Sequence, residues 1–230
     1  MKAVNSLFDI IGPIMIGPSS SHTAGAAKLA KIAGSFAKNG IEYVTFYLHG
    51  SFQNTYVGHG SDRALLAGLM GLDPHDTGLR DAYRLADEKG IKYEFVKKDL
   101  GFVHPNTIKF EIREKNGETV SVVGSSLGGG EVIITNVNGF DVRFDGNLYT
   151  FVTRHDDVPG VVAAVTDILA NNGINIADMS LSRTHRGGQA SMIVETDAAP
   201  SEEAVAQMET LPFIRELMCI APVKVGEIDV

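Results

Sequence analysis

Leu148-Tyr149-Thr150-Phe151-Val152-Thr153-Arg154, followed by His155-Asp156-Asp157-Val158-Pro159-Gly160-Val161, decides how the second half of the chain folds. The first seven residues are rich in β-branched and aromatic side chains and read as a strand. Pro159 stands near the first position of a helix, where its missing N–H costs nothing. Val161, Val165, Ile168 and Leu169 line one helix face, and Asn172-Gly173 ends the run. Ile174 to Arg183 and Gln189 to Glu195 then read as two strands joined by His185-Arg186-Gly187-Gly188. Ser201 caps a second helix carrying Val205, Met208 and Leu211, and Ile214 to Val225 closes the sheet. The order is βαββαβ, that of a ferredoxin-like unit.

Upstream, Asp145-Gly146-Asn147 reads as a linker, so the chain divides into residues 1–146 and 147–230. The first part opens on an apolar stretch, Leu7-Phe8-Asp9-Ile10-Ile11, broken by Gly12-Pro13. Leu29, Ile32, Ala33, Phe36 and Ala37 share a helix face that Asn39-Gly40 terminates. Ile41 to His49 and Ile91 to Val96 read as strands, Arg63 to Met70 and Gly78 to Glu88 as helices. Ile108, Phe110 and Ile112 alternate with Lys109, Glu111 and Arg113, the pattern of a half-exposed strand. Asn116-Gly117 turns it into Thr119 to Val123, and Gly128-Gly129-Gly130 interrupts. Val132 to Val137 and Phe140 to Phe144 form a second hairpin around Asn138-Gly139. The fold class is α+β, with an α/β first domain and a ferredoxin-like second domain.

The 230 residues carry a net charge of −8. An acidic chain without a basic block is a poor match to nucleic acid or to an anionic membrane. No run approaches the roughly 18 apolar residues of a membrane span. The N-terminal residues lack the basic start and cleavage site of a signal peptide, so the expected location is the cytoplasm. The single cysteine, Cys219, excludes an internal disulfide framework and a cysteine-rich metal site within this chain.

Gly17-Pro18-Ser19-Ser20-Ser21-His22-Thr23 is the most unusual run. A helix cap needs one hydroxyl. The others leave hydroxyls and N–H groups clustered at a helix N-terminus, suited to an anionic group. His22 adds a side chain of a type that titrates near neutrality. A Ser-His-Asp triad is not expected, because adjacent Ser and His side chains seldom face each other and no Asp is placed as orienter. In Gly58-His59-Gly60-Ser61-Asp62 the glycines give His59 little local packing and permit close approach of a ligand. His104-Pro105-Asn106-Thr107 lies in a loop before a strand. The helix that opens at Gly160 offers unpaired N–H groups to a carboxylate.

Residues 148–225 resemble an ACT domain, a small ferredoxin-like module that usually binds amino acids. In serine-sensing relatives, such as the regulatory domain of some phosphoglycerate dehydrogenases, the ligand is held by residues that match His155, Asp157 and Asn175, beside Gly160. Those relatives carry Asn where this chain has Asp157, which accepts from an amino group but cannot donate to a carboxylate. A sheet used only for dimerisation is the alternative.

The runs Phe8 to Pro13, Gly17 to Gly25, Gly58-His59-Gly60, Gly71-Leu72-Asp73-Pro74, His104 to Thr107 and Ser126-Leu127-Gly128-Gly129-Gly130 together resemble the β chain of the iron–sulfur-dependent L-serine dehydratases. The first domain is also similar to the allosteric substrate-binding domain of some phosphoglycerate dehydrogenases. The first resemblance implies conversion of L-serine to pyruvate and ammonia. It implies a [4Fe–4S] cluster held by a separate alpha chain, with no metal in this one. A cubane needs about three or four thiolates, and Cys219 is the sole cysteine. The implied partners are that alpha chain, L-serine, and a second copy through the ACT domain. Removing the α-proton needs a base, for which His is suited near pH 7. His59 is the leading candidate, with His22, Ser20, Ser21 and Thr23 beside it in the catalytic group. Ser19, Ser20, His104 and Asn106 are candidates for binding substrate. The second resemblance implies the alternative, a regulatory amino-acid or anion-binding module that does no chemistry.

Overall fold

The computed structural model describes residues 15–223, in two units that divide between Ile134 and Thr135. This division precedes Asp145-Gly146-Asn147, because the strand Phe140–Phe144 belongs to the second unit, where it touches two other strands. The stretch Leu7 to Pro13, and Lys224 and Val225 of the expected closing strand, lie outside the described residues.

The first unit starts with one turn of π-helix, Ser20–Ala24, which runs into α1 (Gly25–Ser35). β1 (Ile41–Leu48), α2 (Ser51–Thr55), α3 (Ser61–Leu69), a 3-10 turn (Thr77–Asp81), α4 (Ala82–Glu88) and β2 (Lys92–Lys97) follow. β3 (Thr107–Glu114), β4 (Thr119–Gly128) and β5 (Glu131–Val137), which reaches the division, follow in a sheet of order β2-β1-β3-β4-β5-β6, whose last strand β6 (Phe140–Phe144) is counted with the second unit. β1 runs parallel to β2 and antiparallel to β3. The alternation read in β3 holds: Ile108, Phe110 and Ile112 are wholly buried, while Lys109 and Glu111 stay partly exposed and form an ion pair. Phe110 meets Phe46 of β1 edge-on, with ring centres 5.7 Å apart. Each such ring contributes roughly 2–3 kcal/mol by leaving water.

α1 covers β3 and β4 and packs on α3. The two helices approach closely because Ala and Gly fill their shared face. A Cβ added at Gly68 would lie 2.1 Å from the Ala27 carbonyl oxygen, and one at Gly34 would lie 2.7 Å from that of Leu69. The contact positions function, since α1 begins at the hydroxyl run and α3 at Gly58-His59-Gly60. β4 runs on to Gly128, past the expected end at Val123, and two helical elements differ from the sequence reading. The helix expected over Gly78 to Glu88 is split into the 3-10 turn and α4. Asp76 caps that turn through the Gly78 N–H at 2.7 Å, and a glycine there weakens an α-helix. α2 was not foreseen, because five residues are too few to show a period.

The second unit holds β7 (Tyr149–Asp156), α5 (Val161–Asn171), β8 (Ile176–Arg183), β9 (Gln189–Thr196), α6 (Glu202–Glu209) and β10 (Ile214–Ile220). The order β10-β7-β9-β8 is antiparallel throughout, as the βαββαβ pattern requires. Phe151, Val165, Leu169, Met192, Val194 and Met208 form its core. Ser201 caps α6, its Oγ accepting from the Ala204 N–H at 3.1 Å.

Glu195 of β9 is only 8% exposed, and burial, with repulsion from Asp145 and Asp178, pushes its carboxyl up to about 7. Between the ordinary value of 4.5 and about 7, the folded chain keeps a proton that the unfolded chain has lost. Stability therefore falls as pH rises through that window and is flat above it. Thermal unfolding at pH 5 and pH 8 should show this slope in the wild type. Glu195→Gln should remove it and stabilise the chain at pH 8 by about 1–3 kcal/mol.

Candidate functional site

Ser19 is the helix cap: its Oγ accepts from the His22 N–H at 3.1 Å, and its carbonyl accepts from the Thr23 N–H at 2.8 Å. The turn so closed folds the His22 ring back on the serines. Ser21 Oγ lies 2.9 Å and Ser19 Oγ 3.5 Å from His22 Nδ1. Adjacent Ser and His side chains do face each other here, against expectation. The other ring nitrogen, Nε2, lies 2.9 Å from Ser51 Oγ, the first residue of α2. The chain Ser21–His22–Ser51 therefore contains no carboxylate and is not a Ser-His-Asp triad. His22 is 8% exposed, and burial, then repulsion from His59, holds its pKa below the usual imidazole value. It is neutral near pH 7, with one nitrogen donating and one accepting.

The His59 ring meets that of His22 edge-on at 4.9 Å, and Phe52 packs against His22 at the same distance. Thr23 Oγ1 donates to the His59 carbonyl at 3.1 Å. Gly60, with φ 67°, makes the left-handed step that frees the His59 loop from α3, a step other residues resist. His59 Nδ1 is buried without a hydrogen-bond partner among the described residues. Ser20 gives its carbonyl to the Gly25 N–H.

A cleft of about 330 Å³ opens beside His59, walled by Gly17, Thr23, Asp62, Arg63 and Arg80. Ser19, Ser20, Ser21, His22, His104 and Asn106 do not line it. The structure instead ties the third loop to the His22 network: Pro105 accepts from the Ser51 N–H at 2.8 Å. His104 is exposed, and its Nδ1 accepts from the Asn106 N–H at 3.1 Å. Asp62 is 6% exposed and takes a hydrogen bond from the Tyr83 hydroxyl, while its Oδ1 is buried and has no partner among the described residues. Burial, then this bond, pushes the Tyr83 hydroxyl above its ordinary value. Ser51, Asp62, Arg63 and Arg80 were not assigned from sequence. Only the glycines around His59 hinted at a ligand there.

In the second unit, His155 is 1% exposed and shares a hydrogen bond with Thr153 at 3.1 Å. Burial lowers its pKa against the pull of Asp157 and Asp156. Asp157 accepts from the Gly187 N–H at 2.9 Å and from Arg183 at 3.2 Å, and both depress its carboxyl. Gly160, φ 96°, precedes α5. Asn175 donates to Asp197 at 2.6 Å. His155 pairs with Ala190, whereas Ile176, next to Asn175, pairs with Thr196. At about 3.3 Å per residue, Asn175 and His155 stand roughly 20 Å apart along the sheet. His155 and Asp157 share one end of the sheet and Asn175 marks the other.

The site's residues do not fit an iron–sulfur cluster of their own. Cys219 is exposed on β10, and among the described residues no group of three His, Cys, Asp or Glu could hold a metal ion.

The family model for the serine dehydratase beta chain matches residues 6–92, and the ACT domain model matches residues 149–213. The probable L-serine dehydratase beta chain of Bacillus subtilis is 41% identical over 216 residues, covering 94% of this chain and 98% of that one. The L-serine dehydratase beta chain of Peptoniphilus asaccharolyticus is 39% identical over 198 residues, covering 86% and 89%. A D-3-phosphoglycerate dehydrogenase of Archaeoglobus fulgidus is 27% identical over 203 residues, covering 85% of this chain and 34% of the enzyme. With identity of this extent along nearly the full length of both proteins, the chain belongs to the family of L-serine dehydratase beta chains.

Proposed function

We propose that the chain is one subunit of a cytoplasmic L-serine dehydratase that, with an alpha chain carrying a [4Fe–4S] cluster, converts L-serine to pyruvate and ammonia. The observation that carries this reading is the placement of His59 on the wall of a ligand-sized cleft, with its ring and carbonyl held by His22 and Thr23. The reaction removes the α-proton and the β-hydroxyl as water. The resulting enamine becomes an imine, and water releases pyruvate and ammonia. His59 takes the α-proton. His22, neutral and fixed between Ser21 and Ser51, holds the His59 ring in place. The alpha chain's cluster would supply a Lewis acid for the departing hydroxyl.

The surface supports a partner. Val57, Phe102 and Leu127 are exposed apolar side chains in or next to the three loops that hold the sequence runs. Val57 lines the cleft, so a partner covering it would help exclude water there. No helix among the described residues is long and apolar enough to cross a membrane. In the second unit, the separation of His155 from Asn175 favours a pair of chains side by side, since one small ligand touches both only across two copies.

The test is anaerobic co-expression with a candidate alpha chain. Serine-dependent pyruvate is expected only when both chains are present. Full activity from the alpha chain alone would reject the catalytic reading and leave the regulatory one.

A further inference from the structure

We propose that the cleft beside His59 is the amino-acid seat of the reaction: Arg63 and Arg80 receive the carboxylate of the substrate, and Asp62 receives its ammonium group. This deepens the dehydratase reading and rests on it. Arg63 and Arg80 are exposed, line the same cleft, and have no ion-pair partner among the described residues. A guanidinium presents paired N–H donors that match a carboxylate. Arg63 also lies in the first turn of α3, whose cap Gly60 has no side chain to satisfy the turn's N–H groups. That helix end adds positive potential to the same wall.

Two arginines alone would suit a phosphate equally well. Asp62 decides between them. Asp62 is 6% exposed, with one oxygen held by Tyr83 and Oδ1 buried without a donor among the described residues. A buried carboxylate oxygen is rarely left unpaired. A dianion would be repelled by it, whereas an ammonium group supplies the missing donors. The ligand must therefore be negative at one end and positive at the other, and small enough for about 330 Å³. An α-amino acid meets all three conditions. Seated so, its Cα lies between the two charged ends on the wall that carries His59.

The experiment measures serine KM and calorimetric Kd on the two-chain enzyme, wild type and R63Q/R80Q. Glycerate, which lacks the ammonium, and ethanolamine, which lacks the carboxylate, serve as fragment probes. The double variant should raise both constants about 100-fold, near tenfold per lost guanidinium, with the circular dichroism unchanged. Neither fragment should bind like serine. D62N should restore glycerate binding relative to serine; because both arginines are exposed, the arginine variant tests the seat even if D62N does not fold. KM and Kd within twofold of wild type in R63Q/R80Q would overturn the proposal, as would wild-type protein that binds no serine. If the enzyme forms no pyruvate yet binds serine through the arginines, the dehydratase reading fails and the seat stands. If pyruvate forms with a KM indifferent to the arginines, the seat fails and the dehydratase reading stands.

Discussion

His59→Ala in the two-chain enzyme should lower kcat by about 10²–10⁴-fold and leave the KM for serine little changed. The split follows from the geometry. His59 shares the cleft with Asp62, Arg63 and Arg80, but the charged ends of the substrate are assigned to those three residues. Removing the imidazole takes away the proposed proton acceptor and spares the contacts proposed to hold the ground state. If, as proposed, the cluster belongs to an alpha chain, the iron content and visible spectrum should match wild type. Near-normal turnover with an intact cluster would end the role of His59 as base and move it to another group.

Gly68→Ala should destabilise the chain by more than about 3 kcal/mol, lowering Tm by roughly 6–12 °C. Helix propensity alone points the other way, since Ala is favoured over Gly by about 1 kcal/mol in a helix interior. Sterics win because the new Cβ would sit 2.1 Å from the carbonyl oxygen of Ala27, a backbone atom of α1. No side-chain rotation relieves that clash, so α1 and α3 must separate and lose their shared burial. Gly60→Ala is the internal contrast: nothing lies within 4 Å of its added Cβ, so it bears only the cost of φ 67°. That cost is about 1–2 kcal/mol. Equal losses from the two variants would show that the helix pair yields more easily than its backbone contact implies.

Local chemistry was legible in the sequence. The alternation of Ile108, Phe110 and Ile112 sets the face of β3, Asn116-Gly117 sets its turn, and Ser19 caps the turn before α1 as a hydroxyl there should. The βαββαβ order was equally open, because each strand carries its own pattern and each helix its own stop. What stayed hidden depends on register and distance. Ser51 meets His22 from 29 positions away, and no spacing rule reaches that far. Asp62 and Arg80 converge only because α3 and the 3-10 turn are folded side by side. His155 and Asn175 resemble a single binding set in the sequence, yet the pairing of β7, β8 and β9 sends them to opposite ends of a sheet. The π turn at Ser20–Ala24 has no sequence signature of its own.

The backbone contact between α1 and α3 has a mechanical meaning. With no flexible side chain between Gly68 and Ala27 to absorb a shift, the loops that begin the two helices behave as the fixed jaw of a vice. His22 and His59 sit on that jaw. Arg80 rides on the 3-10 turn Thr77–Asp81, an element with poorer hydrogen-bond geometry than an α-helix. A ligand entering the cleft therefore meets the imidazole and Arg63, which α3 carries, already in place.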